Sequence, residues 1–354
     1  MIPILFSGAT SFFFVILASY LGVKLFQSRN IGQNIQDELV FHEHKKGTPT
    51  MGGIFIVLGT YLGYFIAHIN FWTIGKGFLI EVIDIEMNVF MILLLSSLMS
   101  LVGLTDDILS VSRNRNLGLA VIPKFFLQVL VSITIAYWLY TLNISTELYL
   151  FSGFGFEAGL IKYFIVVLLI VFITNSVNIT DGLDGLVAGS SAMSLAGVLI
   201  VSFWMYRHPV YYLQHVNEAF INLDLSILIA ALAGSALGFL WWNTNPAKII
   251  MGDVGSHFIG CLIPLVLIVL QSEGLIFFLC FIYIIESSSV ILQVFSYKYR
   301  KKRIFKMAPL HHHFEMRNWA ETTVIVRFWI VSTIAVLLGV SLFYLDWVLY
   351  GGLM

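Results

Sequence analysis

Five aspartates stand in three short polar motifs that long apolar stretches separate along the chain. The motifs read "LVGLTDDILS", "NSVNITDGLDGLVAG" and "NTNPAKIIMGDVGS", and the aspartates are Asp106, Asp107, Asp181, Asp184 and Asp253. Carboxylates gathered in a partly dehydrated cleft repel each other unless cations compensate them, and hard oxygen ligands of this kind suit Mg²⁺. Because Mg²⁺ usually binds one or two carboxylates plus substrate phosphates, the pattern predicts a phosphate-bearing substrate.

Each motif taken alone also has a purely structural interpretation. A pair of aspartates at a helix end can be a cap, and a "DGLDG" turn can be a solvated loop. Three such motifs on one membrane face are hard to explain in this way, so together they favour a functional site. The glycines in "DGLDG" and "MGDVGS" would let a ligand approach the backbone closely.

Another polar stretch, "FHEHKKGTPTMGG", leads directly into an apolar segment. The side chains of Lys45 and Lys46 and the hydroxyl of Thr48 could bind substrate phosphate there. A cytoplasmic loop of a membrane protein carries lysines in any case. A purely topological role therefore stays equally open for the two lysines.

The stretch "MAPLHHHFE" contains three consecutive histidines, His311, His312 and His313. A zinc site needs three or four His or Cys ligands that converge, whereas three adjacent side chains fan apart. A basic run from Lys298 to Lys306 lies just before them, so these imidazoles are better placed as donors to phosphate or sugar oxygens. A structural role stays open for at least one of the three, and His313 is the candidate for it.

The elements that must position these motifs are membrane helices. The chain has 354 residues, of which 59% are hydrophobic and 11% are charged, and its mean hydropathy is +0.91. A helix that crosses the hydrocarbon layer needs about 20 apolar residues, and roughly ten such stretches are centred near residues 14, 60, 96, 132, 170, 196, 233, 265, 284 and 335. We therefore predict an all-α polytopic integral membrane protein, in which residues 1–354 form a single membrane-embedded domain.

Positive residues are distributed unevenly between alternate connections. If the N-terminus lies outside, all but three of the 19 Lys and Arg residues fall on the inner side. The three exceptions are Lys76, Lys162 and Arg207. By the positive-inside rule, this distribution predicts N- and C-termini outside, and it places the aspartate motifs and the histidines on the cytoplasmic face.

Three further features bear on the class of protein. Cys261 and Cys280 lie within apolar stretches without metal-type spacing, which predicts packing roles. The first apolar run lacks a basic region before it and a clear cleavage pattern, so we expect a membrane helix rather than a removed signal. Glu286, in "YIIESSSVILQ", lies well inside a span, where it is either functional or bonded to neighbouring serines at a kink. No nucleic-acid partner is expected.

Together the motifs resemble the phospho-N-acetylmuramoyl-pentapeptide-transferases, a family within the polyprenyl-phosphate N-acetylhexosamine-1-phosphate transferase superfamily. The resemblance rests on "HEHKKGTPTMGG", the "DD" pair after the third span, "NSVNITDGLDGL", "PAKIIMGDVGS" and "MAPLHHHFE", in that order from about Phe41 to Phe328. It implies transfer of phospho-MurNAc-pentapeptide from UDP-MurNAc-pentapeptide to undecaprenyl phosphate, which gives lipid I and UMP and requires Mg²⁺. It also implies a ten-helix homodimer in the bacterial cytoplasmic (inner) membrane, with a cytoplasmic active site.

The resemblance implies roles by motif position. Asp253 matches the Mg²⁺ ligand, and Asp106 and Asp107 match the catalytic pair, with His311 expected beside them as a catalytic residue. The positions that match the family's substrate-binding residues are Lys45, Lys124, Asn175, Asn178, Asp181, Asp184, Gln293, His312 and His313.

Two positions depart from the family pattern. The family usually has Tyr-x-Lys after its aspartate pair, whereas residues 108–110 here are Ile-Leu-Ser. The role of that lysine is therefore either absent or taken by Arg113 or Arg115. Ile250 stands where the family usually has a Phe that stacks on uracil, so nucleotide stacking would be weaker or supplied elsewhere.

Two other functions stay open on the sequence alone. A related polyprenyl-phosphate GlcNAc-1-phosphate transferase would share the aspartates, although "GTPTMGG" and "MAPLHHHFE" favour the muramoyl enzyme. A cation-coupled membrane transporter would carry its acids near the bilayer midplane on broken helices. Most of the motif aspartates are instead expected at helix ends, which favours an enzyme.

Overall fold

The computed structural model describes residues 1–28, 32, 47–70, 81–113, 118–151, 154–214 and 216–350. Most of these residues form α-helices. Eight helices in this part of the chain are long and apolar enough to cross a membrane. They are α1 (Ile2–Ser28), α3 (Met87–Ser112), α4 (Val121–Thr141), α5 (Ile161–Thr180), α6 (Leu186–Arg207), α8 (Leu223–Asn243), α9 (Gly252–Val269) and α13 (Glu321–Tyr350).

The remaining helices are shorter or bent. They are α2 (Gly53–Ala67), α7 (Pro209–Tyr212), α10 (Ile276–Leu279), α11 (Phe281–Arg300) and α12 (Leu310–Glu315), with single 3₁₀ turns at Glu218–Phe220 and Glu273–Leu275. The segment that ends with α10 meets α11 at an angle of 80°, a bend found in broken spans and in re-entrant loops. Helix α2 is apolar but has only 15 residues.

The predicted membrane character is confirmed, because the described chain contains eight helices of spanning length and composition. Each of the ten predicted span centres also lies inside one of the helices. At about 1.5 Å per residue, α2 is shorter than a hydrocarbon layer of about 30 Å. The count of ten therefore requires α2 and the bent pair to cross as well, and it stays a prediction.

Helix α9 is the central helix of the bundle. It packs against α2, α3, α5 and α6, and every residue from Val254 to Val269 is buried. A helix that is apolar all round is stable where neighbours cover it on every side. The first turn of α9, which contains Gly252 and Asp253, is the place where the ends of these neighbours meet.

Small residues bring α1 and α8 together. A Cβ placed on Gly234 would lie 2.1 Å from the carbonyl oxygen of Gly8, so the two backbones could not approach this closely with a larger residue. Ser7 Oγ also donates to the carbonyl of Ile227 at 3.0 Å. Small residues and side-chain hydrogen bonds drive helix association in a membrane, where apolar side chains gain little by leaving lipid.

Two short antiparallel hairpins depart from the all-α prediction. The pairs are β1 (Ile69–Asn70) with β2 (Glu81–Val82), and β3 (Glu147–Phe151) with β4 (Phe154–Glu157). The second hairpin is held by a buried ion pair, in which Lys162 Nζ lies 2.7 Å from Glu273 Oε1. The same ammonium donates to the carbonyl of Glu147 at 2.7 Å. The fold class is therefore mostly helical rather than purely helical.

Candidate active site

The carboxylate of Asp107 caps the helix that carries Asp253. One of its oxygens accepts the N–H of Asp253 and the other accepts the N–H of Val254, both at 3.1 Å. The first N–H groups of a helix lack partners inside the helix, and a negative charge there is favoured by the helix dipole. Gly252 begins this turn with φ +71°, and a Cβ on it would lie 2.7 Å from Asp107 Oδ2. The "DD" and "MGD" motifs therefore form one structural unit.

Lys124, in the first turn of α4, joins two of the predicted catalytic aspartates. Its Nζ forms an ion pair with Asp253 Oδ2 and lies 3.6 Å from Asp106 Oδ1. Asp106 Oδ1 also accepts the N–H of Leu119 at 3.0 Å, which anchors the connection between α3 and α4. The three charged side chains are only 14–18% exposed, so water screens their interaction less than at an open surface.

Asn178, near the end of α5, supplies the next contact. Its Nδ2 donates to Asp253 Oδ1 at 2.7 Å and to Ser256 Oγ at 3.1 Å. Each oxygen of Asp253 therefore has a partner from a different helix. Four helices, α3, α4, α5 and α9, bring five of the predicted residues into one cluster, which we call the Asp253 cluster: Asp106, Asp107, Lys124, Asn178 and Asp253.

The "DGLDG" loop follows α5 and lies beside the Asp253 cluster. Desolvation, together with the negative charges of Asp253 and Asp107, raises the pKa of Asp181 well above its usual value. Asp184 connects the loop to the segment before α9, because its Oδ2 accepts the N–H of Ala247 at 2.9 Å. The raised pKa favours the neutral, protonated form of Asp181, so this carboxyl adds little negative charge beside the cluster. Asp184 helps to shape the border of the cluster.

A second polar layer lies one helical turn from the cluster, and the sequence analysis missed two of its members. The amides of Gln128 and Asn175 exchange hydrogen bonds, at 2.8 Å from Asn175 Nδ2 to Oε1 and at 3.3 Å from Gln128 Nε2 to Oδ1. Gln128 Nε2 also lies 2.9 Å from His257 Nε2. Gln128 and His257 each follow a cluster residue, Lys124 and Asp253, by four positions. Spacing of i to i+4 on a helix was the signal that could have identified them.

The "GTPTMGG" turn pairs with the segment that leads into α9. The N–H of Ile250 donates to the carbonyl of Pro49 at 2.8 Å, and the N–H of Gly52 donates back to the carbonyl of Ile250 at 2.9 Å. A Cβ on Gly53 would lie 2.1 Å from the backbone nitrogen of Gly255. The glycines of this motif therefore allow α2 to begin in direct contact with the first turn of α9.

Only some of the polar residues predicted near this turn and near the aspartate pair lie in the described part of the chain. Thr48 lies in the turn and is partly buried, whereas Lys45 lies outside the described residues. Of the two arginines that could replace the family's lysine, Arg113 donates from Nη1 to the carbonyl of Gly118 at 3.3 Å. Arg115 lies outside the described residues. Arg113 therefore braces the connection between α3 and α4.

His311, in α12, is completely buried beside the "DGLDG" loop. Its N–H donates to Glu286 Oε1 at 3.1 Å, and its Nδ1 lies 3.2 Å from Glu286 Oε2 without hydrogen-bond geometry. The carboxylate inside α11 thus contacts α12, while Ser289 Oγ bonds the backbone carbonyl of Glu286. A Cβ on Gly182 would lie 2.5 Å from His311 Nε2. Neither ring nitrogen of His311 has a hydrogen-bond partner among the described residues.

The other two histidines have partners within their own segment. His312 Nδ1 lies 2.6 Å from Glu315 Oε2, and the N–H of Lys306 donates to His313 Nδ1 at 3.0 Å. Burial, and the positive charges of Arg317 and Lys306, lower the pKa of His313. A neutral ring is what the Lys306 N–H requires as an acceptor. The contact joins His313 to the backbone before α12, and its structural role stays a prediction.

Gln293 shapes the connection that follows α11. Its Oε1 accepts the N–H groups of Ile304 and Phe305, both at 3.0 Å, and its Nε2 donates to the carbonyl of Phe305 at 3.0 Å. Both ends of the amide are therefore used by the backbone. The structure places Gln293 as a support for the path to α12, and its contact with substrate stays a prediction.

The Asp253 cluster carries more negative than positive charge. Lys124 supplies one ammonium to a region that holds three carboxyl groups, those of Asp106, Asp107 and Asp253. Among the described residues, no group of three or more His, Cys, Asp or Glu side chains is arranged to hold a metal by itself. Hard carboxylate oxygens fit Mg²⁺, which commonly takes its other ligands from water and substrate phosphates. The cluster is thus suited to binding a divalent cation together with a phosphate-bearing ligand.

Comparison with known proteins points to the same chemistry. Residues 89–271, which include the three aspartate motifs, match Glycosyl transferase family 4. Residues 45–57, which include the "GTPTMGG" turn, match phospho-N-acetylmuramoyl-pentapeptide-transferase signature 1.

Similar proteins align over nearly the whole chain, and those from three organisms carry the same name, phospho-N-acetylmuramoyl-pentapeptide-transferase. The Frankia casuarinae protein is 38% identical over 93% of this chain and 94% of its own length. The Streptomyces griseus protein is 36% identical, with 97% and 98% covered. The Mycobacterium avium protein is 38% identical, with 92% of each chain covered.

Proposed function

Since the chain belongs to the phospho-N-acetylmuramoyl-pentapeptide-transferase family, we propose that it carries out the transfer reaction of that family at the Asp253 cluster. The protein transfers phospho-MurNAc-pentapeptide from UDP-MurNAc-pentapeptide to undecaprenyl phosphate, which forms lipid I and UMP in peptidoglycan synthesis. One observation carries the assignment of the site. Asp107 and Lys124, which flank the connection between α3 and α4, and Asn178, which precedes the connection between α5 and α6, all contact Asp253 or its backbone.

Phosphoryl transfer needs alignment of the reacting groups and neutralisation of charge more than covalent help from the protein. Lys124 is placed for this role, because its ammonium lies between the carboxylates of Asp253 and Asp106 in a partly dehydrated site. Asn178 fixes the orientation of Asp253 by donating to Oδ1. Asp107 fixes the backbone on which Asp253 stands.

We propose Mg²⁺ as the cofactor, held by Asp253 with Asp106 nearby. When bound, it would offset the pyrophosphate charge of the UDP substrate and stabilise the UMP that departs. The Lys124 ammonium and the ion would share the carboxylate of Asp253, so each would weaken the binding of the other. The oxygen donors and the surplus negative charge of the cluster support this proposal.

The nucleophile in this proposal is the phosphate of undecaprenyl phosphate, attacking in a single displacement. A phosphate monoester has a second pKa of about 6, so most of it is ionised near neutral pH and needs little help from a general base. Both oxygens of Asp107 accept backbone N–H groups, and both oxygens of Asp253 are engaged by side chains. A covalent aspartyl-phosphate would break these contacts, which makes it the weaker route.

The setting of the site in the cell is also a proposal. We place the cluster on the cytoplasmic face of the bacterial inner membrane, with both termini outside, because the positive residues lie mostly on the side of the aspartate motifs. Labelling of single cysteines introduced at the two faces would test this orientation. We further propose one domain over residues 1–354 and a homodimer, which light scattering of the purified protein would detect.

The function is tested by incubating purified protein with UDP-MurNAc-pentapeptide and undecaprenyl phosphate, with and without Mg²⁺. We expect UMP and lipid I to form in equal amounts, and only when Mg²⁺ is present. UDP-GlcNAc in place of the muramoyl substrate serves as the specificity control. Turnover of UDP-GlcNAc at a comparable rate would support the related GlcNAc-1-phosphate transferase instead. Neither that alternative nor the transporter is favoured by the comparisons.

A further inference from the structure

The end of α11 and the connection after it carry a concentrated positive charge. The chain has no acidic residue between Glu286 and Glu315, and the stretch from Lys298 to Lys306, which we call the basic segment, holds six cations. All six are exposed: Lys298, Arg300, Lys301, Lys302, Arg303 and Lys306. None of them forms an ion pair with a carboxylate among the described residues. Their charge is therefore available to a ligand outside the chain.

The helix that leads into the basic segment is suited to contact lipid chains. Ile291 is 57% exposed, Val294 is 60% exposed and Phe295 is 61% exposed. In a membrane protein, large apolar side chains at such exposure face hydrocarbon rather than water. We therefore expect this part of α11 to lie within the apolar layer and to lead the chain towards its edge.

Two tyrosines mark the boundary between the apolar helix and the cations. Tyr297 is 54% exposed and Tyr299 is 66% exposed. Tyrosine is enriched at the level of the lipid headgroups, where its ring is apolar and its hydroxyl is wet. The ammonium groups of Lys301 and Lys298 lie 5.8 Å from the ring centroids of Tyr297 and Tyr299, respectively. The basic segment therefore begins at headgroup level.

The basic segment is also connected to the histidine helix α12. The N–H of Lys306 donates to His313 Nδ1 at 3.0 Å, and its Nζ donates to the carbonyl of Met316 at 2.9 Å. Gln293 holds the backbone at Ile304 at 3.0 Å. A ligand that fixes the basic segment would consequently restrain α12, whose His311 packs against the "DGLDG" loop.

We propose that the basic segment binds the headgroups of anionic phospholipids in the leaflet where α11 ends. The charge is complementary, the apolar and aromatic residues before it already lie in that leaflet, and no carboxylate in the described chain competes for the cations. Each Lys or Arg near an anionic membrane surface strengthens association about fivefold. Several cations acting together would enrich anionic lipid locally over neutral lipid.

The test measures lipid enrichment at the basic segment itself. A fluorophore is attached to an Ile304→Cys variant of the full chain, since Cys261 and Cys280 are buried and should not react. The protein is placed in phosphatidylcholine vesicles that contain a trace of a quenching lipid with a nitroxide on its acyl chain. The quenching lipid is phosphatidylglycerol in one sample and phosphatidylcholine in the other. We expect severalfold stronger quenching by nitroxide phosphatidylglycerol at equal mole fraction. The same label at Val210→Cys, beside Arg207, should show no such preference.

Two charge variants identify the cations responsible. At about fivefold per cation, Arg300→Gln with Lys302→Gln should lower the local affinity for phosphatidylglycerol about 25-fold. Lys24→Gln with Arg207→Gln removes the same charge elsewhere and should leave that affinity unchanged. Equal quenching by both lipids in the labelled Ile304→Cys protein that keeps all six cations would overturn the proposal. Equal loss of preference in both double variants would overturn it too, because net charge rather than the segment would then be responsible.

The salt dependence of the quenching tests the proposal without any charge variant. Raising the ionic strength from 0.1 M to 1 M shortens the Debye length from about 10 Å to about 3 Å. The preference for phosphatidylglycerol at the Ile304→Cys label should then fall severalfold. A preference that persists at 1 M salt would contradict electrostatic binding of headgroups and limit the basic segment to a topological role.

Discussion

Asp107 binds the backbone of Asp253, at 3.1 Å from its Oδ1 to the Asp253 nitrogen. The two aspartates of the "DD" pair therefore have different tasks, although they are adjacent in the chain. Asp106 faces the ammonium of Lys124 and the N–H of Leu119. Asp107 instead determines where the first turn of α9 begins.

We expect Asp107→Ala to reduce both stability and activity. The change leaves the N–H groups of Asp253 and Val254 without their acceptor, and loss of such a cap costs about 1–2 kcal/mol. The melting temperature in detergent and the turnover should both decrease. Asp107→Asn should be intermediate, because it keeps one acceptor oxygen. Asp84→Ala, at an exposed aspartate, is the control. Normal stability of Asp107→Ala would show that the cap is not needed.

Asp106→Asn tests whether this residue removes a proton or holds a position. Asn keeps an acceptor oxygen for the N–H of Leu119, so the fold should be preserved, while the charge opposite Lys124 is lost. We expect turnover to fall by about 100-fold or more and to stay low between about pH 6 and 9, across the second ionisation of the lipid phosphate. Recovery of most activity as the pH rises would instead identify Asp106 as a general base.

Lys124→Met should separate the affinity for Mg²⁺ from turnover. Loss of the ammonium frees the carboxylate of Asp253, so the half-saturating Mg²⁺ concentration should fall about tenfold, which corresponds to about 1.4 kcal/mol. Turnover should fall about 100-fold, because substrate phosphate loses a buried positive charge. The measurement is a Mg²⁺ titration of initial rates, with Lys24→Met as the control. An increased requirement for Mg²⁺ would contradict competition at Asp253.

The histidines should differ in which property they control. His311→Ala and His312→Ala should lower kcat/KM about tenfold to a hundredfold if they donate to substrate oxygens. His313→Ala should have the smallest kinetic effect but should lower the melting temperature, since the Lys306 N–H loses its acceptor. Kinetics, melting curves and elemental analysis of the three variants check this. Stoichiometric zinc that disappears with any one histidine would contradict the phosphate interpretation.

Hydropathy was sufficient to place the helices, because the backbone N–H and C=O groups of an apolar stretch in lipid must hydrogen-bond with each other, as they do in a helix. It could not reveal the bend before Phe281, since the surrounding "IFFLCFIYII" is uniformly apolar and contains neither Gly nor Pro. Nor did it reveal the second hairpin. The ion pair of Lys162 with Glu273 joins residues far apart in the chain, and such a pairing depends on tertiary packing.

The aspartate motifs and the family resemblance together predicted which side chains would gather in the site, but not what each would contact. The motifs indicated Asp106 and Asp253, the resemblance added Lys124 and Asn178, and the structure brings the four together. Gln293 is engaged with nearby backbone, which residue type alone does not predict. Carboxylates and amides suit a phosphate ligand and an unpaired N–H group equally well, so the choice between them depends on the positions of neighbouring chain segments.

We propose above all that the carboxylate of Asp253 is indispensable to transfer. It is tested most directly by measuring UMP release and lipid I formation by Asp253→Ala over a wide range of Mg²⁺ concentrations, beside the unmodified protein. We expect no turnover at any practical Mg²⁺ concentration, because the cation would lose its main protein ligand and the pyrophosphate charge would be left uncompensated. Activity within a few-fold of the unmodified protein would show that Asp253 does not have this role.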